Sequence, residues 1–339
     1  MTIAEDAGLQ VIIQQAALLI SIQTVSKEFK MKLCQNCVNP IKGNEETCFS
    51  CDYQLNHKDY GHFWGAGNIF EREFNKFIDS KNHGKIIYAF SGGLDSAVVL
   101  CKLVPICKSK EIELIPVTID YGFKGRKTQE NINNIIDFLE IDNLKLIDIQ
   151  NQPATKRVQA RFGEGIKVYD FYKKCLQETI LPCGPLCNSI IDRSYKQVLD
   201  ELGDKSLVTG GDTPVYNKGN FSIVWPQPLG FDVIRGAFSL GGTKKKNQEY
   251  ILEHDIPWEN PLYGGYDTDC LMSGTILYKM FNGNPDSTYE ETLDKFKILY
   301  DYLSDRVRWK VIDRDIALEN LTQLELISNE GLNEVEELQ

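Results

Sequence analysis

The sequence predicts an α/β protein built on a doubly wound parallel sheet, and three observations carry that reading. Short apolar runs at Lys85–Phe90, Glu113–Ile119, Leu144–Ile149 and Ser206–Thr209 read as buried strands. Segments of helical periodicity separate them, and strand–helix alternation suits a parallel sheet covered on both faces. The first strand runs straight into a glycine turn, Ser91-Gly92-Gly93-Leu94-Asp95-Ser96, which opens a helix over Ala97–Cys107. The 339 residues, 42% hydrophobic and 25% charged, are ordinary for a soluble globular chain with one large core or two to three smaller units.

Residues 1–30 read as a helical extension. Their apolar stretch Val11–Ile22 is broken by Gln14, Gln15 and Ser21, so it is too short and too interrupted to cross a bilayer. Glu5 and Asp6 stand where a signal peptide needs positive charge. A cytoplasmic location is therefore expected. Residues 31–55 form a cysteine module, and 56–84 a linker followed by a helix over Asn68–Ser80. The main domain spans 85–275, with further helices at Lys127–Leu139, Val168–Ile180 and Asn188–Leu202. A fifth strand is expected at Phe221–Trp225, ended by Pro226-Gln227-Pro228. Residues 276–339 are helical, with periodic stretches at Tyr289–Leu303 and Ile316–Ile327 and an acidic tail.

The glycine turn is the strongest motif. Gly92 and Gly93 let the backbone turn tightly and approach an anion, and the free N–H groups of the following helix attract phosphate oxygens. Ser91 and Ser96 add hydroxyl donors. No Gly-Lys-Ser/Thr ending follows, so this is not the Walker-type loop.

Phe90-Ser91-Gly92-Gly93-Leu94-Asp95-Ser96 resembles the SGGxDS signature of the PP-loop ATP pyrophosphatases, the adenine nucleotide alpha hydrolase-like proteins. By motif order the resemblance spans residues 85–270. It implies a HUP-like PP-loop domain that binds ATP with Mg2+, adenylates a substrate oxygen and releases pyrophosphate. It also implies that Ser91, Gly92, Gly93, Leu94, Asp95 and Ser96 cradle the phosphates, with Asp95 also catalytic. Ile119 and Asp120, ending the second strand, lie where such proteins meet the adenosine. Val208-Thr209-Gly210-Gly211-Asp212 resembles a later strand-end motif, T-G-H-N in tRNA thiolases. Glycine and aspartate replace its histidine and asparagine here. Thr209, Gly210 and Gly211 are thereby assigned to the nucleotide, and Asp212 to catalysis.

Of the ten cysteines, Cys34, Cys37, Cys48 and Cys51 form a CxxC–x10–CxxC pattern. Two such knuckles can place four thiolates tetrahedrally around one metal ion, zinc first and iron as its competitor. Four protein ligands leave no open position, so the role is structural and the module zinc-ribbon-like. Cys101, Cys107 and Cys175 sit in apolar helical patterns, as small core residues do. Cys183 and Cys187 lie in Pro182-Cys183-Gly184-Pro185-Leu186-Cys187 before a helix, and Cys270 follows the last strand. These three resemble the cysteine set of iron–sulfur PP-loop thiolases, with CxxxC where that family has CxxC. The resemblance implies a [4Fe-4S] cluster and a catalytic part in sulfur transfer. Unrelated thiols, or a redox pair at Cys183 and Cys187, are the alternatives.

Among single residues, His57 and His62 read as surface groups and His254 as a helix-end cation. Lys244-Lys245-Lys246 reads as a solvated face, whereas Arg126 and Lys127 sit on the nucleotide side of the sheet. The net charge of -11 disfavours a large nucleic-acid footprint, so a small or carrier-bound substrate is preferred over tRNA. Sulfur transfer, drawing on a sulfur-donor partner, is the expected chemistry. The alternative is an amidotransferase resembling those that act on N-acetyl sugars, fed with ammonia by a glutaminase partner. The third reading is a nucleotide-binding module without catalysis.

Overall fold

The structure is a computed structural model. It describes residues 32–41, 44–56, 67–81, 83–211, 215–217, 220–240, 242–261, 270–282, 300–301, 303–304, 306–308 and 312–323. The expectations for residues 1–30, His57, His62, most of Tyr289–Leu303 and the acidic tail lie outside these residues, and so does Asp212.

In chain order the elements are α1 (Phe49–Asn56), α2 (Gly67–Ser80), β1 (Lys85–Ala89), α3 (Leu94–Ser109), β2 (Glu113–Asp120), α4 (Arg126–Phe138) and β3 (Lys145–Asp148). Then come α5 (Lys156–Phe162), α6 (Val168–Gln177), α7 (Pro185–Leu202), β4 (Ser206–Thr209), β5 (Val215–Asn217), β6 (Asn220–Ser222), β7 (Val224–Pro226) and β8 (Asp232–Arg235). The last are α8 (Gly236–Ser239), α9 (Lys244–Glu253), α10 (Leu271–Asn282) and α11 (Arg314–Gln323).

The main sheet has the order β3-β2-β1-β4-β8-β7. All neighbours are parallel except the edge pair β7 and β8. Side chains alternate across the pleat, and here both faces are apolar. Ile86, Tyr88, Val208 and Ile234 join α2, α3 and α4 in one core, through Phe74, Leu100 and Ile135 among others. Ile87, Ala89, Leu207 and Val233 join α5, α6, α7 and α10 in the other, through Val158, Phe171, Leu199 and Met272. The chain winds outward from β1 to β3 under one set of helices. It then crosses back to β4 under the other, so the winding reverses between β1 and β4.

The expected fifth strand is corrected. Phe221–Trp225 is divided at Ile223 between β6, paired antiparallel with β5, and the edge strand β7. The fifth parallel strand is β8, four residues long and preceded by Gly230 in a left-handed turn (φ 82°). Pro226 suits β7 because an edge strand tolerates a residue without an N–H. Both ends of α7 are set by local chemistry. Gly184 (φ 80°) precedes Pro185 at the first turn, and Gly203 closes the helix in the left-handed conformation (φ 65°). Cys187 is thereby placed in the first turn of α7.

Candidate active site at the sheet reversal

The loop after β1 is stitched from its own residues. Gly93 caps α3 without a side-chain bond, so the first N–H groups of that helix remain available to an anion. Ser91 Oγ lies 3.0 Å from Ser96 Oγ and accepts from Gly93 N at 3.3 Å, while Ser96 Oγ donates to Gly93 O at 2.8 Å. Gly92 has φ 87°, and a Cβ there would stand 2.7 Å from Ile132 Cγ1 and 2.8 Å from Thr128 O. Only glycine serves at that position, both for its backbone and for its space.

The two strands at the reversal meet at this loop. A Cβ on Gly210 would lie 2.7 Å from Ser96 N. The exit of β4 therefore rests directly on the first turn of α3, in the crevice where open parallel sheets bind ligands. Gly210→Ala should separate the two by some tenths of an ångström. The expected result is a melting temperature lower by several degrees, from overpacking of about 1–3 kcal/mol, together with weakened ATP binding. Calorimetric titration checks it, and wild-type affinity in the variant would refute the contact. Thr209 Oγ1 accepts from Gly211 N at 3.2 Å, which fixes the turn beyond the strand.

Asp95 is 9% exposed and held by two donors. Lys244 Nζ reaches its Oδ2 at 2.5 Å and Asn247 Nδ2 its Oδ1 at 2.7 Å. The triple-lysine run is thus not uniformly a solvated face. Lys245 and Lys246 are exposed, but Lys244, opening α9 behind the Thr243 cap, turns inward to the loop. Trp258 Nε1 donates to Gly92 O at 3.0 Å, and Glu259 and Asn131 exchange two bonds at 2.7 and 3.0 Å. Residues 258–259 therefore clasp the loop against α4. None of these partners was legible from spacing alone. A local signal that could have found α9 is the Thr243 cap before Lys244.

Ile119 is buried in the core beneath the end of β2. Asp120 accepts from Gly122 N at 2.9 Å and from Gln150 Nε2 at 3.3 Å. Lys127, expected to face the nucleotide, pairs instead with Glu130 and Glu259 at 3.0 and 2.7 Å. The lysine of that turn which faces the loop is Lys124, whose Nζ donates to Ser91 O at 3.3 Å. Burial pushes its ammonium down to about 8, against the opposing pull of Asp120 and Cys270.

Cys183, Cys187 and Cys270 are all partly exposed. Cys270 precedes α10 and accepts from Ser273 N at 3.4 Å. Tyr172 Oη donates to Cys187 Sγ at 3.2 Å, and the Tyr121 and Tyr172 rings lie 4.8 Å apart. Burial pushes both phenols up, so they stay neutral. The Tyr121 hydroxyl also feels Cys270, Cys187 and Cys183, and bonds to Cys270. The fold thus packs Cys187 and Cys270, far apart in sequence, on the same core as Tyr121 at the end of β2.

The four N-terminal cysteines form a separate, buried cluster. Their sulfurs all lie within 4.8 Å of one another, with Cys37 and Cys48 3.6 Å apart. Four thiolates about 2.3 Å from one ion would stand about 3.8 Å apart, so the set fits a tetrahedral metal ion. Cys37 is held well below the usual thiol range by the hydrogen bond it receives from Cys51. Unforeseen from sequence, the C-terminal region packs on this cluster. Arg308 Nη1 reaches Cys37 Sγ at 3.6 Å, and Arg314 Nε donates to Cys34 O and Cys37 O at 3.2 and 3.0 Å.

Residues 67–164 match a family model described as a PP-loop domain. An uncharacterised protein of Methanocaldococcus jannaschii is 28% identical over 203 residues, covering 58% of this chain and 61% of that protein. The tRNA(Ile)-lysidine synthase of Rickettsia rickettsii is 25% identical over 193 residues, covering 56% of this chain and 37% of that enzyme. The chain thus matches only part of the length of either relative. A solved structure, the U34-tRNA thiolase NcsA from Methanococcus maripaludis with its [4Fe-4S] cluster, is 14% identical. It covers 87% of this chain and 89% of its own, with a TM-score of 0.38, too low to carry an argument. Among the described residues, no helix is long and apolar enough to cross a membrane.

Proposed function

We propose that this protein is an ATP-dependent enzyme that adenylates an acceptor oxygen and then replaces that oxygen with sulfur. The observation that carries the reading is the packing of Cys187 and Cys270 on the same core as Tyr121, with Cys183 just before Cys187 in the chain and Lys124 Nζ touching the PP-loop. In the first step the acceptor oxygen forms a bond to the alpha phosphorus of ATP. The bond from that phosphorus to the bridging oxygen breaks, and pyrophosphate leaves with the electron pair. In the second, a sulfide equivalent bonds to the activated carbon, the carbon–oxygen bond breaks, and AMP departs with the oxygen. No oxidation or reduction is needed.

Ser91, Ser96 and the open N–H groups of α3 would hold the departing pyrophosphate, and Mg2+ bound with ATP would offset phosphate charge. A [4Fe-4S] cluster on Cys183, Cys187 and Cys270 would supply an open iron able to carry sulfide. Three partly exposed thiols suit a set of three ligands, which would leave the fourth iron position for sulfide. The N-terminal four-cysteine site suits a structural zinc ion, because its buried ligands already satisfy the metal. The tRNA(Ile)-lysidine synthase relatives favour a tRNA acceptor, whereas the net charge of -11 weighs towards a smaller one.

The test is anaerobic purification of wild type and Cys270→Ser, with iron and sulfide analysis and an absorption spectrum. Iron, sulfide and broad visible absorption are expected in wild type and should be lost in the variant, while ATP binding is retained. An iron-free wild type whose ATP cleavage depends on ammonia would establish the amidotransferase chemistry instead.

A further inference from the structure

The turn between β2 and α4 is built to aim one side chain. Gly122 has φ 89°, and a Cβ there would meet Tyr169 at 2.7 Å and Gln150 at 2.9 Å. Phe123 is fully buried and stacks on Tyr169, ring centroids 4.9 Å apart. Gln129 Nε2 holds the Lys124 carbonyl at 2.7 Å. Flanked by these anchors, Lys124 projects between two groups of functional residues. On one side is the carbonyl of Ser91, the first residue of the PP-loop. On the other side Asp120 and Cys270 act on its ammonium through their charge.

An ammonium has three donors, and a single carbonyl satisfies only one. Among the described residues no carboxylate forms an ion pair with Lys124. Asp120, the acid whose charge acts on it, already accepts from Gly122 N and Gln150 Nε2. The fold thus holds a cation partly out of water, with spare donors, where the loop and the cysteine edge adjoin. In low dielectric such a charge acts strongly on an anion and needs no reorganisation when charge develops.

We propose that Lys124 binds the alpha phosphate of ATP and holds it at the boundary between the PP-loop and the three-cysteine edge. This rests on the adenylating function above. The alpha phosphate is the one group common to both steps, as the centre attacked in the first and part of the AMP expelled in the second. A cation there offsets charge in each. The open helix start of α3 is left to the two phosphates that depart.

Titration calorimetry with ATP, AMP and adenosine as probes tests this without knowledge of the acceptor. Wild type should bind AMP more tightly than adenosine. Lys124→Met should lower AMP affinity roughly 10- to 100-fold, the worth of one charge-assisted hydrogen bond, and leave adenosine affinity unchanged. Lys124→Arg, which keeps the charge, should recover most of the loss. Equal weakening of AMP and adenosine in Lys124→Met would show a scaffolding role and overturn the proposal, as would unchanged AMP affinity. A wild type that binds ATP no better than adenosine would overturn the nucleotide reading of the loop itself, a result distinct from either.

Discussion

Asp95→Ala is expected to abolish pyrophosphate release and also to lower the melting temperature. From the motif alone, only the first effect is expected. The second follows from Lys244 and Asn247, which both donate to this carboxylate. Removing it takes an acceptor away from a half-buried ammonium and a buried amide. Breaking such a pair from one side is costly because the remaining charge stays desolvated. Lys244 keeps some contact with water, its side chain being 24% exposed, so a loss of about 1–3 kcal/mol is appropriate. Asp95→Asn should recover most of the stability and little of the turnover, because the amide keeps an acceptor but loses the charge. Thermal melts beside a pyrophosphate-release assay separate the two effects. Full turnover in Asp95→Ala would end the assignment of this loop to ATP.

Metal removal should act at a distance. Cys34→Ser, or a strong chelator, is expected to unfold the N-terminal cysteine module. So short a segment lacks the core to fold by burial and would depend on an ion held by the four thiolates, binding worth on the order of 10 kcal/mol in comparable modules. Because Arg308 and Arg314 dock on Cys34 and Cys37, the C-terminal segment should be released with it. Limited proteolysis should therefore gain cleavage near residues 300–314 at the moment the metal is lost. A Cys34→Ser protein with its full metal content would overturn the site. Metal loss without new C-terminal cleavage would show that the arginine contacts do not depend on the ion.

Much of the fold was legible because its signals are local. The first four parallel strands, the helices between them and the PP-loop follow from apolar runs, helical spacing and paired glycines. Strand β8 was not legible, because four residues with no alternating run are too few to set a pattern, and Phe221–Trp225 carried more apparent strand character. The four-cysteine module could be read from spacing, since each CxxC pair lies within one turn of chain. The sequence placed Cys183 and Cys187 beside a helix, and a resemblance linked them to Cys270. Only the packing of α6, α7 and α10 sets Cys187 and Cys270 on the same core as Tyr121.

The sequence by itself determined a PP-loop domain, a cysteine module and the alternation that winds the sheet, because each rests on torsional and hydrogen-bonding preferences a few residues long. The tertiary structure decided which charged groups meet them. Lys244 reaches Asp95 across 149 residues and Arg308 reaches Cys37 across 271. Such pairings have no local signature. A lysine that will be solvated and one that will be turned inward present the same chain to the sequence, and only burial by distant elements, which removes water as the competing partner, separates them.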